Sequence, residues 1–327
     1  MTKKGVMILA SLLLALMIVI VGCERKVTEV VDNSTEVCQQ CHSDNTLVVA
    51  VAAQWANSVH ATGGNFERNT PPCSGCHTSE GFIARLATGD PGTPENPSAI
   101  GCFTCHEPHT NHNFNLRIDA PVALETGGTF DLGNGNLCVY CHQARLPDPP
   151  IPTSDTIEIT NSRWGPHHGT QGSLLSGNGA YVFGDPYDNG AHTTAVVNGC
   201  PMCHMATPFG AQAGGHTWNM TYVYHGSTED NVAGCNASAC HAHVEDFDYH
   251  GIQDSVEVLL DALRAELLAA DMIDSSNLVN TPLTVGPDDA GAIFNFLFFE
   301  EDRSMGIHNP DYTIAALNAS ISYLQGR

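Results

Sequence analysis

Six short stretches of this 327-residue chain repeat one arrangement: two cysteines a few residues apart, with a histidine directly after the second. Five have two residues between the cysteines (CQQCH at 38, CSGCH at 73, CFTCH at 102, CVYCH at 138 and CPMCH at 200). The sixth, CNASACH at 235, has four. Twelve of the 13 cysteines fall into these pairs. The first cysteines are separated by 35, 29, 36, 62 and 35 residues, so the chain reads as an array of similar units with an insertion between the fourth and fifth. That insertion carries PDPPIPTSD at 147–155, which cannot hold a helix and reads as an extended connection, so the array is divisible near 147–160.

Two thiols at this spacing with an imidazole next to the second form the attachment signature of c-type haem. The thiols reach the two vinyl groups of one porphyrin while the adjacent imidazole comes under the ring and binds iron. The expected covalent positions are Cys38, Cys41, Cys73, Cys76, Cys102, Cys105, Cys138, Cys141, Cys200, Cys203, Cys235 and Cys240. The expected proximal iron ligands are His42, His77, His106, His142, His204 and His241. Disulfides give no reason for the histidine, and zinc would need the pairs to combine into four-ligand sites. With 17 histidines in the chain, histidine would follow all five CxxC pairs by chance roughly once in a few million. In CNASACH the two extra residues are expected to bulge from the loop while Cys235, Cys240 and His241 keep their relation to a porphyrin, although a disulfide is the alternative in an oxidising compartment.

On these motifs, residues 38–241 resemble the multihaem c-type cytochromes. The resemblance implies six c-type haems and a fold that is mainly α with much irregular loop, its short helices packed around the haem array. The pattern between the motifs agrees, since glycine, proline and asparagine are abundant there and apolar runs are rare. A protein-only core looks too thin for this length. Short helices are expected over 46–60 and 79–88. Beyond residue 250 the character changes: 252–270 places Val256, Leu259, Leu260, Leu263 and Leu267 on one face of a helix, and further helices are expected over 287–303 and 311–325. The chain therefore divides into a leader (1–22), a haem-binding region (23–250) and a C-terminal helical segment (251–327) packing back on the array.

Each iron has a second axial position, whose occupant decides between electron transfer and catalysis. Eleven histidines lie outside the motifs. Six form the candidate set: His60 at a helix end; His112 rather than His109 in EPHTNH; His168, with His167 its alternative, in GPHHG; His192 and His216 beside glycines that let backbone approach a porphyrin; and His308 in RSMGIHNPDY. The helix, turn with G-x-HN and final helix around His308 resemble the tail of the pentahaem nitrite reductase and octahaem hydroxylamine oxidoreductase group, where that histidine coordinates a haem. The CxxCK motif that usually carries the catalytic haem of nitrite reductases is missing.

The leader has Lys3 and Lys4, an apolar run from Val6 to Val21, and ends Ile20-Val21-Gly22-Cys23. It reads as a secretory signal, and its end resembles a bacterial lipobox, implying lipid on Cys23; an uncleaved anchor is the alternative. Beyond residue 22 there are 10 basic against 35 acidic residues, a formal charge of −25, which argues against nucleic acid as a partner. The reading favoured by the whole sequence is an exported lipoprotein, on the outer membrane and facing periplasm or cell surface. It would carry electrons to or from redox partners such as other cytochromes, with no catalytic residue of its own. A reductase or oxidase of a small nitrogen or sulfur compound at one open haem, or a subunit of a cytochrome filament, are the alternatives.

Overall fold

The computed structural model describes residues 46–327 apart from 112–113 and 238–239, so Cys23, Cys38, Cys41, His42 and His112 lie outside the described residues. The expected helix over 46–60 is two helices, α1 (Thr46–Ala56) and α2 (Val59–Thr62). Ser58 breaks it: its N–H bonds Trp55 O at 2.9 Å, and its hydroxyl then caps α2 by accepting from Ala61 N at 3.2 Å. His60 therefore sits in the second helix.

Four of the cysteine motifs are built around a single helical turn: α3 (Ser74–His77), α5 (Cys102–Cys105), α7 (Gly135–Val139) and α10 (Cys200–His204). Between them lie α4 (Ser79–Thr88), α6 (Pro108–Asn111), α8 (Gln171–Leu175) and α9 (His192–Ala195). Helix α4 matches its sequence expectation because both ends are signed. The Thr78 hydroxyl accepts from Gly81 N at 2.9 Å at the start, and Gly89 takes φ 82° at the end.

Among the described residues, three two-stranded antiparallel ribbons supply the extended backbone. Strand β1 (Val122–Ala123) pairs with β2 (Thr129–Phe130), and β4 (Thr221–Tyr224) with β5 (Ser227–Asp230). Strand β3 (Ile157–Ile159) pairs with the distant β6 (Leu283–Val285), with Ile157 opposite Val285. This pairing ties the segment after the proline-rich connection to the C-terminal helices. Trp164, almost wholly buried, adds a second tie by donating its indole N–H to Pro149 O at 2.7 Å.

The main apolar core belongs to α11 (Ile252–Ala269), α12 (Pro287–Asp302) and α13 (Pro310–Gln325). Helix α11 buries Val256, Leu260, Leu263 and Leu267, a stripe at helical spacing that matches the sequence expectation. Helix α12 begins with Pro287 and carries Asp288 and Asp289 in its first turn, where negative charge suits the helix dipole. It is buried almost all round, with Ile293, Phe294, Phe296, Phe298 and Phe299 inside, so it is the central helix of the segment. A smaller cluster of Val122, Leu124, Phe130, Val139 and Leu175 lies under the fourth motif. Residues 46–327 cluster as one compact unit, yet the motif-bearing part contributes only Ala144, Ile159, Trp164 and Leu174 to the buried residues of the main cluster. Among the described residues, no helix is long and apolar enough to cross a membrane.

Candidate metal centres

The motif turns share one hydrogen bond. The histidine N–H reaches the carbonyl of the first cysteine in His77→Cys73 (3.1 Å), His106→Cys102 (2.9 Å) and His142→Cys138 (2.9 Å). In CNASACH the same bond joins His241 N to Cys235 O at 3.2 Å, although two more residues lie between them. The longer loop thus closes like the shorter ones. All ten described motif cysteines are free thiols rather than disulfides. Among the described residues no three or more His, Cys, Asp or Glu side chains converge as a metal-binding group.

The imidazoles instead come in facing pairs, each joining one motif histidine to one from elsewhere. Ring centroids are 6.1 Å apart for His142 and His60, 6.2 Å for His77 and His167, and 6.3 Å for His106 and His216. They are 6.3 Å apart for His204 and His308 and 6.1 Å for His241 and His192. Two metal–imidazole bonds of about 2.0 Å, plus twice the ring radius of about 1.1 Å, predict a separation of about 6.2 Å across one metal ion. All five separations fit one iron held between two imidazoles, and ordinary aromatic packing gives no reason for such uniformity.

The outer ring nitrogens support the same fit. Nδ1 lies 2.7 Å from Phe114 O in His106, 3.1 Å from Trp218 O in His204 and 2.6 Å from Ile307 O in His192. In His142 it faces Gln171 Oε1 at 3.3 Å, and in His308 it faces Asp302 Oδ1 at 2.7 Å. Each partner is an acceptor, so Nδ1 carries the proton and Nε2 keeps the lone pair that a metal needs. Burial lowers the pKa of His60 to about 4, with neighbouring His142 adding to the effect. Burial likewise lowers His77, His204 and His216. His308 is the exception. Burial pulls it down, but the charge and hydrogen bond of Asp302 outweigh that and raise it.

One turn after α12 positions two of these rings. Arg303 and Met305 take positive φ (61° and 49°), reversing the chain. The Ile307 carbonyl holds His192, the His308 ring faces His204, and the wholly buried Asn309 draws in the segment before α9. Asn309 accepts from Gly190 N at 2.8 Å and donates to Leu174 O (3.1 Å) and Asn189 Oδ1 (2.8 Å).

The centres also touch one another. Arg145, three residues after His142 of the fourth motif, reaches Cys76 Sγ of the second at 3.3 Å. The fourth and fifth motifs approach so closely at two glycines that a Cβ on Gly135 would lie 2.9 Å from Gly199 Cα. Trp218 joins the third motif to this group: its ring packs against His60 (4.8 Å) and His216 (5.6 Å), and its carbonyl takes the proton of His204. Neighbouring Cys141 and the guanidinium groups of Arg145 and Arg85 lower the Cys76 pKa to about 6 against the opposing effect of burial.

Four of the six sequence candidates outside the motifs, His60, His192, His216 and His308, face a motif histidine. His112 lies outside the described residues. Opposite His77 stands His167, whereas His168 pairs through Nδ1 with Glu301 Oε1 at 2.6 Å. His167 takes φ 62°, a backbone state that residue type alone does not announce. Of the other histidines, His109 stacks on Phe103, His225 packs on Tyr224, His243 reaches Glu245 and His250 lies against Tyr249. Trp218, Gln171 and Asp302 carry no signal in the sequence, because the contacts that distinguish them, with His60 and His204, with His142 and with His308, form only in the fold.

No family model and no curated protein sequence matches the chain. Among solved structures, an outer cell wall cytochrome, OcwA, superposes on it with a TM-score of 0.54 at 20% identity, covering 83% of this chain and 50% of OcwA. The chain thus spans about half the length of that structure. At this identity the likeness is one of fold: the helix-rich, loop-rich unit described here shares the fold of about half of that structure.

Proposed function

We propose that this chain is a hexahaem c-type cytochrome that carries electrons through bis-histidine iron centres. The observation that carries the reading is the set of five facing imidazole pairs, each uniting a motif histidine with a distant one at the separation a shared iron requires. On this reading Cys73 and Cys76, Cys102 and Cys105, Cys138 and Cys141, Cys200 and Cys203, and Cys235 and Cys240 hold five porphyrins, with Cys38, Cys41 and His42 holding a sixth. The axial pairs are His77–His167, His106–His216, His142–His60, His204–His308 and His241–His192. His167 thereby takes the place that GPHHG left open between it and His168. Each bound haem would supply a one-electron ferric–ferrous couple.

Two imidazoles at every described centre leave no open axial position there, which favours transfer over catalysis. The contacts between motifs make the fourth centre a junction with the second, third and fifth, and the centre of Cys235 and Cys240 meets the fifth where Gly234 packs on Cys203. Electrons would therefore have a branched route rather than one line. The leader and Cys23 support export and attachment by lipid, and the outer cell wall location named for the structural neighbour supports a surface role. The partners on this reading are other redox proteins.

Pyridine haemochrome analysis of protein matured with cytochrome c assembly factors tests the reading: six haems per polypeptide and a wholly low-spin ferric spectrum are expected. Colourless protein with disulfide-linked cysteines would overturn it, and a high-spin component that shifts with nitrite or hydroxylamine would replace it with the catalytic alternative.

A further inference from the structure

The fifth, fourth and second centres differ in the charge placed around them. Resting on the haem reading above, we propose that these differences form a potential gradient, with the fifth centre low, the fourth intermediate and the second high, so that electrons run from the fifth through the fourth to the second.

At the fifth centre, Asp302 stands behind His308. Its carboxylate is 3% exposed, and Oδ1 accepts from His308 Nδ1 at 2.7 Å. Its other oxygen takes the backbone N–H of Ser304 at 3.2 Å and the Ser304 hydroxyl. No cation compensates it among the described residues: neighbouring Arg303 is exposed and leans towards Glu301 at 3.9 Å. A buried carboxylate on the outer nitrogen strengthens the imidazole as a donor and stabilises ferric iron, which lowers the reduction potential.

At the fourth centre the corresponding acceptor is neutral. His142 Nδ1 faces the amide oxygen of Gln171, and His60 faces the Trp218 ring. Gln171 also donates to Glu301 O (3.1 Å) and Asp302 O (3.4 Å), so the fourth and fifth centres share one short polar connection.

At the second centre the charge changes sign. Arg145 Nη2 lies 3.3 Å and Arg85 Nη1 3.5 Å from Cys76 Sγ. These are two of the few cations in a strongly acidic chain. Glu125, 3.7 Å from Arg145, offsets part of that charge, while Arg85 has no carboxylate ion pair among the described residues and Glu301 is turned to His168. Positive charge beside the haem attachment favours the ferrous state and raises the potential. The adjacency needed for transfer is present where Gly135 and Gly199 bring the fourth and fifth motifs together, and where Arg145, just after the fourth motif, reaches Cys76 of the second.

Potentiometric titration of the full-length holoprotein tests this, with haem count and spin state measured on each variant. His308→Met marks the fifth centre, because a thioether in place of imidazole raises its potential. The marked component is expected to be the lowest of the wild-type titration. Asp302→Asn should raise that same component by at least tenfold in its ferric–ferrous equilibrium, about 59 mV for one electron, and leave the highest unmoved. Arg145→Gln with Arg85→Gln should lower the highest component and leave the lowest unmoved. If Asp302→Asn loses a haem, Ser304→Ala replaces it; removing one donor from the carboxylate should lower the fifth component. The inference is overturned if His308→Met marks a component other than the lowest, or if the Asp302 or Ser304 variant leaves it in place. Fewer than six haems in the wild type would instead refute the haem reading itself.

Discussion

Trp218 packs its ring edge-on against His60, 4.8 Å between centroids, while its carbonyl faces Nδ1 of His204 at 3.1 Å. Side chain and backbone of one residue thus fix imidazoles belonging to two neighbouring centres, and the same ring also reaches His216. Trp218→Ala removes the packing and keeps the carbonyl. It is expected to destabilise the fold by about 2–3 kcal/mol, below the cost for a fully buried tryptophan, with Trp218→Phe costing about half as much. Chemical denaturation measures this. A rhombic ferric EPR signal that changes for the centres of His60 and His216 would show the ring orienting both ligands.

His167 and His168 are adjacent in sequence but face different partners, and the two alanine variants should separate their roles. His167→Ala is expected to convert one haem to high spin, visible in the ferric absorption spectrum and by EPR. His168→Ala breaks the pair with Glu301 at an exposed ring, so it should cost no more than about 1 kcal/mol and leave all haems low-spin. The opposite result would exchange the two assignments.

CNASACH closes the same histidine-to-cysteine hydrogen bond as the shorter motifs, and His241 faces His192 as their histidines face their partners. Cys240→Ala should therefore lower the pyridine haemochrome count from six to five. An unchanged count would show that the pair holds no porphyrin.

Which parts of this architecture the sequence announces follows from how local their causes are. The stripe Val256, Leu260, Leu263 and Leu267 and the start at Pro287 lie within single helices, so α11 and α12 are legible from spacing alone. The motif turns are legible for the same reason. The break at Ser58 is less so, because the apolar run continues across it and only the cap hydrogen bond decides. The pairing of β3 with β6 spans more than 120 residues, and neither strand is long enough to signal itself. Among the histidines that face a motif histidine, His60, His192, His216 and His308 are legible from their sequence neighbours. The choice within GPHHG depends on a left-handed backbone at His167, which both histidines could adopt. Asp302 was hidden because it lies six residues before His308, and only the reversal at Arg303 and Met305 brings the two together.

Asn309 concentrates the dependence of two centres on one amide. It is wholly buried, and its side chain makes three hydrogen bonds, to Gly190 N, Leu174 O and Asn189 Oδ1. Asn309→Ala leaves those three groups without their partner, at about 1–3 kcal/mol for each that water cannot reach, so a loss of about 3 kcal/mol is expected in chemical denaturation. Asn309→Asp keeps the acceptor for Gly190 N but cannot donate to the two oxygens and adds a buried charge, so it should be at least as damaging. Because Gly190 leads into α9 and His192, the Asn309→Ala holoprotein should also show weakened ligation at the His241–His192 centre, seen as a high-spin fraction that grows with temperature before global unfolding. If that fraction came only from the His77–His167 centre, the role given to this turn would fail.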